Sequence, residues 1–108
     1  MVIGAPLTAR PDFARLAQAG DPRQLGLAIE VWMLAWLAER ANLERMELNS
    51  NTLFTELGVD SLSAIELNQE LEEALQLKIP PVAAWDYPTP ATLARYLAEQ
   101  YLARRQGA

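Results

Sequence analysis

The sequence predicts an all-α domain of four helices, three long and one short, with a long loop between the first and the second. Three observations support this class. The apolar share of 51% comes mainly from Leu and Ala, whereas Val, Ile and Gly are scarce, which favours helices over a sheet. Apolar residues recur at spacings of three and four in three separate stretches. With 108 residues the chain can bury one small core, so we expect a single domain.

Residues 1–22 differ in composition from the rest of the chain. They contain three prolines and two glycines and lack a sustained apolar period. We predict that this segment is a linker or the end of a preceding domain, with a weak helix between Asp12 and Ala19. A tail on a stand-alone protein is an equally good interpretation of these residues. The folded domain is expected to span residues 23–105.

The first long helix is predicted over residues 23–41. Its large apolar residues fall on one face, at spacings of four, three and four: Leu25, Ile29, Trp32 and Trp36. Aromatic residues at this spacing usually belong to a core, so we interpret both tryptophans as core residues rather than as a platform for nucleic-acid bases. Residues 42–58 follow as a long loop pinned by scattered apolar side chains, with Ser50 and Thr52 capping a short turn.

The second long helix is predicted over residues 61–77, and its two faces differ. At 100° per residue, one face is apolar and consists of Ala64, Leu67, Leu71 and Leu75. The roughly opposite side carries three acids, here called the acidic stripe: Glu66, Glu70 and Glu73. No Lys or Arg follows any of them at i+4, so we interpret the stripe as a docking surface rather than a merely solvated face.

The last part of the chain is predicted to hold one short and one long helix. Pro80 and Pro81 are expected to close the second helix, and residues 82–86 leave room for one short helix. Thr89 is a plausible N-cap with Pro90 at the first helical position. After it, large residues again repeat at helical spacing: Leu93, Tyr96, Leu97 and Tyr101.

Composition excludes several classes of function. The chain has no cysteine and no histidine, which removes thiolate nucleophiles, the commonest general base and the commonest metal ligands, so we predict no metal site. The longest apolar run has eight residues, far short of the roughly 20 that cross a bilayer, and no secretion signal is visible. We therefore expect a cytoplasmic protein that does not bind membranes.

The charge is unevenly distributed along the chain. The net charge is −5. Between residues 44 and 86, nine acids against Arg45 and Lys78 give −7, while the remainder, with five acids and seven arginines, gives +2. Such a field disfavours nucleic acid and favours a basic protein partner.

One serine stands out within the segment LGVDSLSAIEL, residues 57–67. Ser61 has no histidine to take its proton, and Lys78 lies 17 residues further on, roughly 25 Å away if both belong to one helix. Ser61 is therefore not expected to act as a catalytic nucleophile. Either Asp60 or Ser61 can cap the helix, so the pair exceeds what capping needs. A phosphate on the Ser61 hydroxyl would lie near free backbone N–H groups and the positive end of the helix dipole, which indicates a site modified by another enzyme.

These residues resemble a known family. The segment LGVDSLSAIELNQELE resembles the 4'-phosphopantetheine attachment motif of acyl carrier proteins, and IPPVAAWDYPTPATLARYLA resembles the loop and final helix of carrier domains in modular type I polyketide synthases. The resemblance covers about residues 23–103 and implies a four-helix carrier bundle. Peptidyl carriers usually have a histidine directly before the attachment serine. This chain has Asp60 at that position, which resembles the acyl type of carrier.

The resemblance also implies roles for individual residues. Ser61 would accept 4'-phosphopantetheine from coenzyme A through a phosphodiester, catalysed by a separate phosphopantetheinyl transferase, which would make the chain a phosphoprotein. Asp60 would help the transferase and its magnesium ion to engage that serine, and Leu62 would contact partners. Glu66, Glu70 and Glu73 would steer basic patches of ketosynthase, acyltransferase and other synthase domains. The arm's thiol would carry starter or growing polyketide chains as thioesters, with no catalytic residue in the protein itself.

Two alternatives and one departure accompany this interpretation. A free-standing acyl carrier protein of fatty-acid synthesis and a helical adaptor without a prosthetic group both stay open. Where such domains usually place larger aliphatics followed by Phe, this chain has Ala83, Ala84 and Trp85, a departure that concerns the choice of partners rather than the carrier role. Nothing in the tail is typical of a dimerising heptad, so we expect a monomer.

Overall fold

The computed structural model describes residues 11–41 and 49–107, and within them it contains helices and no strand. The elements in chain order are α1 (Phe13–Ala17), α2 (Pro22–Ala41), α3 (Ser61–Leu75), α4 (Ala83–Asp86) and α5 (Pro90–Gly107). The predicted all-α class is confirmed, with a loop between α2 and α3 and one short helix between the two that follow. No helix in this part of the chain has the length and apolar character needed to span a membrane.

The core lies where α2, α3 and α5 meet. Its fully buried side chains come from all three long helices: Leu25, Ile29, Met33, Leu67, Leu71 and Leu97. The predicted apolar face of α3 is thus confirmed, except that Ala64 is only half-buried. Trp32 is buried in the same cluster, while Trp36 is half-buried and has the Arg40 guanidinium 5.3 Å from its ring centroid. Both tryptophans therefore contact the core, as their spacing predicts.

The short helix α1 packs onto α2. Asp12 caps it by accepting a hydrogen bond from the Arg15 N–H, and Phe13 and Ala17 are buried. The Phe13 ring meets Trp32 edge-on, with the centroids 6.2 Å apart. The predicted weak helix is confirmed, and its packing joins residues 12–20 to the bundle. Whether the N-terminal segment connects to a preceding domain stays a prediction, and residues 1–10 lie outside the described residues.

The part of the α2–α3 loop that is described is fastened at both ends. Phe54 is buried, and its N–H donates to the Pro88 carbonyl at 2.8 Å, while the Ala91 N–H donates to the Ser50 carbonyl at 2.9 Å. The Ser50 hydroxyl donates to the Glu30 carboxylate of α2. These contacts tie the loop to α2 and to the start of α5. Residues 42–48 lie outside the described residues.

The prediction of the turn caps in this loop was wrong. Asn49 caps the turn, because its Oδ1 accepts from the Asn51 N–H at 2.8 Å, and Glu56 accepts from the Leu53 N–H at 3.2 Å. Ser50 instead uses its hydroxyl on Glu30. The Ser50 hydroxyl therefore bonds to a carboxylate on another helix instead of capping the local turn. A contact between residues so far apart cannot be predicted from one sequence.

The end of α3 also differs from the prediction. The helix ends at Leu75, because Gln76 adopts the left-handed conformation with φ of 51° and its N–H donates to the Glu72 carbonyl. The chain then turns back along α3: the Ile79 N–H donates to Glu72 Oε2 at 2.8 Å, and Asn68 donates to the Ile79 carbonyl at 3.3 Å. Pro80 and Pro81 thus follow the turn rather than end the helix.

The start of α5 agrees with the prediction. Thr89 and Thr92 cap each other's backbone, with each hydroxyl accepting from the other's N–H at 3.2 Å, and Pro90 is the first helical residue. Just before the cap, the Tyr87 ring stacks on Tyr96 with centroids 4.2 Å apart. This packing fixes the α4–α5 turn to which the loop before α3 is bound.

Candidate functional site

Ser61 is the first residue of α3, and its side chain is exposed. Asp60 precedes it as the N-cap, and Asp60 Oδ1 accepts a hydrogen bond from the Ser63 N–H at 2.8 Å. Asp60 therefore does the capping, which leaves the Ser61 hydroxyl available for another role. No hydrogen bond to that hydroxyl occurs within residues 11–41 and 49–107, so nothing in this part of the chain activates it as a nucleophile.

Electrostatics keep Asp60 ionised. Its hydrogen bond from the Ser63 backbone N–H is the main reason that the pKa of Asp60 lies below the ordinary value, and the Ser63 hydroxyl and the charge of Arg40 lower it further. The carboxylate is fully exposed beside Ser61. A negative charge thus stands next to the serine hydroxyl at neutral pH.

The backbone before Ser61 is held in place by the loop. Gly58 has φ of 83°, a conformation that suits glycine, and the Val59 N–H donates to the Phe54 carbonyl at 3.0 Å. Because Phe54 is itself bound to Pro88, the residues that lead into α3 are linked to the α4–α5 turn. Ser61 is therefore presented from a fixed position on the bundle.

Exposed apolar side chains surround Ser61. Leu62 is 65% exposed and Ile65, one helical turn after the serine, is 55% exposed. Across from them Val82 is 54% and Trp85 62% exposed. Sequence reasoning named Leu62 and noted Trp85 but missed Ile65 and Val82. The sequence did carry a signal for Ile65. It lies outside the apolar face of α3, so a large apolar side chain at that position is not explained by packing in the core.

A groove begins at Ser61 and follows α3. It has a volume of about 780 Å³. One wall is the α3 surface and the other is the returning segment 78–81 with Trp85, and the residues that line it along α3 are Ser61, Ala64, Ile65, Asn68, Gln69 and Glu72. Behind Trp85 lies a small apolar pocket of about 80 Å³, next to Ala84. The small side chain of Ala84 adjoins that space.

The acidic stripe is only partly as predicted. Glu66 is half-buried and forms an ion pair with Arg40 of α2, while Glu70 is half-buried and Glu73 exposed. The absence of a cation at i+4 within α3 was correctly noted, but the neutralising charge comes from another helix. Glu66 is thus already engaged within the domain. Leu62, Glu66, Glu70 and Glu73 all stay predicted docking residues, with part of the Glu66 charge balanced by Arg40.

The chemistry of the site is that of an acceptor. An exposed hydroxyl at a helix N-terminus has backbone N–H groups and the positive end of the helix dipole close by, which favour a phosphate attached there. Within the described residues no group of His, Cys, Asp or Glu side chains could hold a metal ion. The arrangement fits covalent modification of Ser61 by a separate enzyme.

Comparisons with known proteins match the stretch of the chain that contains Ser61. Residues 32–97 match the sequence model of a family described as "Phosphopantetheine attachment site". The chain is 35% identical over 86 residues to the phenolphthiocerol synthesis polyketide synthase type I Pks15/1 of Mycobacterium bovis, an alignment that covers 80% of this chain and 4% of that protein. This chain thus spans a small fraction of the length of that relative.

Two solved structures share the fold. A free-standing peptidyl carrier protein from Acinetobacter baumannii superposes with a TM-score of 0.65 at 28% identity, covering 68% of this chain and 92% of that chain. The HMG-ACPI domain from the CurA module of Lyngbya majuscula gives a TM-score of 0.65 at 27% identity, covering 75% of this chain and 80% of that one.

Proposed function

This chain belongs to the family of phosphopantetheine attachment domains, and on that premise we propose that Ser61 is the residue to which 4'-phosphopantetheine is attached. Members of this family hold the group covalently and act as carriers rather than as enzymes. The single observation that supports Ser61 is its position: an exposed hydroxyl at the first residue of α3, with Asp60 already capping the helix.

The surface around Ser61 fits the group. The start of α3 offers backbone N–H groups to a phosphate, and the groove that begins at Ser61 provides open space along the helix. When bound, the group supplies a thiol that carries an acyl chain as a thioester. The protein holds the attachment point in place and leaves it open to solvent. Other domains can therefore reach a cargo attached there.

Asp60 has two proposed roles. It caps α3 through the Ser63 N–H, which keeps Ser61 at the helix start. Its exposed carboxylate, held ionised by the lowered pKa, helps a phosphopantetheinyl transferase and its magnesium ion to engage the serine. Leu62 gives the transferase and later partners an apolar contact, and Ile65 extends it by one turn.

The substrate class and the partners are proposed from the relatives. Because the aligned relative is named a polyketide synthase, we assign the cargo to polyketide acyl chains and the partners to ketosynthase, acyltransferase and other domains of such a synthase. Glu70 and Glu73 steer basic partner surfaces, while Glu66 is held by Arg40. As an isolated domain the carrier is monomeric and belongs in the cytoplasm.

The experiment that tests this proposal is intact-protein mass spectrometry. The protein is incubated with a phosphopantetheinyl transferase of broad specificity, magnesium and coenzyme A, beside Ser61→Ala and a matched control, Ser63→Ala. We expect the wild type and Ser63→Ala to gain one phosphopantetheine unit and Ser61→Ala to gain none. A gain by folded Ser61→Ala would move the attachment site elsewhere, and no gain by any protein would favour a helical adaptor instead.

A further inference from the structure

The sequence contains a single lysine, and the fold brings it to the groove that begins at Ser61. Lys78 is exposed and lines this groove on the wall opposite α3. Had α3 continued, Lys78 would lie roughly 25 Å from Ser61. The left-handed Gln76 instead ends the helix early and sends the chain back, so that expectation was wrong.

The position of Lys78 along α3 follows from two hydrogen bonds. The next residue, Ile79, donates to Glu72 and accepts from Asn68. Lys78 therefore lies beside the Glu72 turn of α3. Ser61 and Glu72 are eleven residues apart, and at 1.5 Å per residue this is roughly 16 Å along the helix.

The reach of the arm matches this separation. About fourteen bonds join the serine oxygen to the sulfur of 4'-phosphopantetheine, and at the rise per bond of an extended peptide they span roughly 16 Å. An arm extended along the groove from Ser61 would therefore reach the neighbourhood of Lys78, and the side chain of the lysine adds further reach.

We propose that Lys78 is an acceptor site for the acyl group carried on the arm, through intramolecular transfer from sulfur to nitrogen. The Lys78 ammonium first loses a proton to solvent. The neutral Nζ then attacks the thioester carbonyl carbon, and a C–N bond forms as the C–S bond breaks. The sulfur leaves as a thiolate and takes up a proton. The nitrogen releases its second proton to solvent. The products are an acyl-lysine amide and a free arm thiol. This inference rests on the proposed function of Ser61.

Tethering is what makes the transfer competitive. Two reactive groups joined by a short flexible arm meet at an effective concentration on the order of millimolar, well above a free acyl donor supplied at the protein's own concentration. The charged neighbours of Lys78 are Glu72 and Glu73 of α3 and Arg104 of α5. Glu72 already accepts from the Ile79 N–H, and no ion pair of Lys78 occurs in residues 11–41 and 49–107. The amine is therefore accessible to the arm.

The test uses the protein loaded with a propionyl arm from propionyl coenzyme A and the transferase. Loaded wild type and loaded Lys78→Arg are held side by side in the same mildly alkaline buffer. Hydroxylamine then cleaves thioesters but not amides. We expect a hydroxylamine-resistant propionyl group at least about tenfold more abundant in the wild type than in Lys78→Arg. Its location is confirmed by loss of tryptic cleavage after Lys78 and by fragment-ion sequencing.

Two controls separate tethered transfer from other routes. Ser61→Ala is incubated with free propionyl coenzyme A at the protein's concentration, and we expect no comparable resistant mass. The wild-type rate is expected to be unchanged on dilution, as a unimolecular step requires. Three outcomes overturn the inference. These are as much hydroxylamine-resistant propionyl group in Lys78→Arg as in the wild type, as much in Ser61→Ala, or a wild-type rate that falls on dilution. Loading without any resistant mass overturns this inference alone, whereas failure to load overturns it together with the proposed function.

Discussion

Replacement of Phe13 by alanine tests whether α1 is an integral part of the carrier domain. Phe13 is 4% exposed and meets Trp32 edge-on. A phenylalanine buries about 150–250 Å², which at about 25 cal/mol per Å² corresponds to an upper limit of roughly 4–6 kcal/mol. Because α1 has only five residues, it detaches once its anchor is lost, and the cost is then limited to the free energy of docking α1. We expect the free energy of unfolding to fall by about 2–3 kcal/mol.

Urea denaturation of the wild type, Phe13→Ala and the exposed control Arg15→Ala measures this loss. With a slope of about 1–3 kcal/mol per M, a loss of about 2–3 kcal/mol lowers the urea midpoint of Phe13→Ala by roughly 0.7–3 M, while Arg15→Ala should stay close to the wild type. The native tryptophan emission, to which Trp36 and Trp85 also contribute, should shift to the red, because the Trp32 ring loses the cover of Phe13. A change below about 0.5 kcal/mol with unaltered emission would refute the reasoning and place the domain boundary after α1.

Two further predictions concern the ends of α3. Gln76→Gly should raise the free energy of unfolding, measured by thermal denaturation, by about 0.5–1 kcal/mol, because glycine adopts φ of 51° without steric cost. A free energy of unfolding below that of the wild type would show that the hydrogen bond from the Gln76 side chain to the Glu73 carbonyl matters more. The cap contribution of Asp60 should be fully present above the ordinary carboxyl pKa and disappear as the pH falls through its lowered folded-state value. Asp60→Asn keeps a capping oxygen but cannot titrate, so its unfolding free energy should fall less steeply with acid, and parallel pH profiles for the two proteins would contradict this account.

Features that depend on local sequence were predicted well. The all-α class, the cap at Thr89 and the helix that begins at Ser61 all follow from turn chemistry and periodicity over a few residues, and the structure confirms them. The family match confirms the resemblance on which the carrier role, the covalent phosphopantetheine and the absence of catalysis in the protein were expected. These properties belong to short motifs, so one sequence is enough to reveal them.

Features that depend on contacts between distant residues were missed. Arg40 reaches Glu66 from a different helix, and no spacing within α3 indicates that pair. The early end of α3 rests on a left-handed glutamine, a residue that carries no sequence signal for that conformation, so the return of Lys78 to the groove was unexpected. The burial of Phe13 was missed for a related reason, since it depends on contact with Trp32 of α2, which a helix of five residues does not indicate by itself.

The fixed position of Ser61 has a consequence for how other proteins recognise the domain. Because the serine starts a capped helix whose preceding loop is bound to Pro88, its surroundings present one unchanging footprint, made of Leu62, Ile65 and Trp85. If Ser61 carries the cargo as proposed, every enzyme that acts on that cargo has to approach the same few side chains. Substitutions there should therefore be pleiotropic, altering successive reactions together, and selectivity among partners has to be encoded further from the serine.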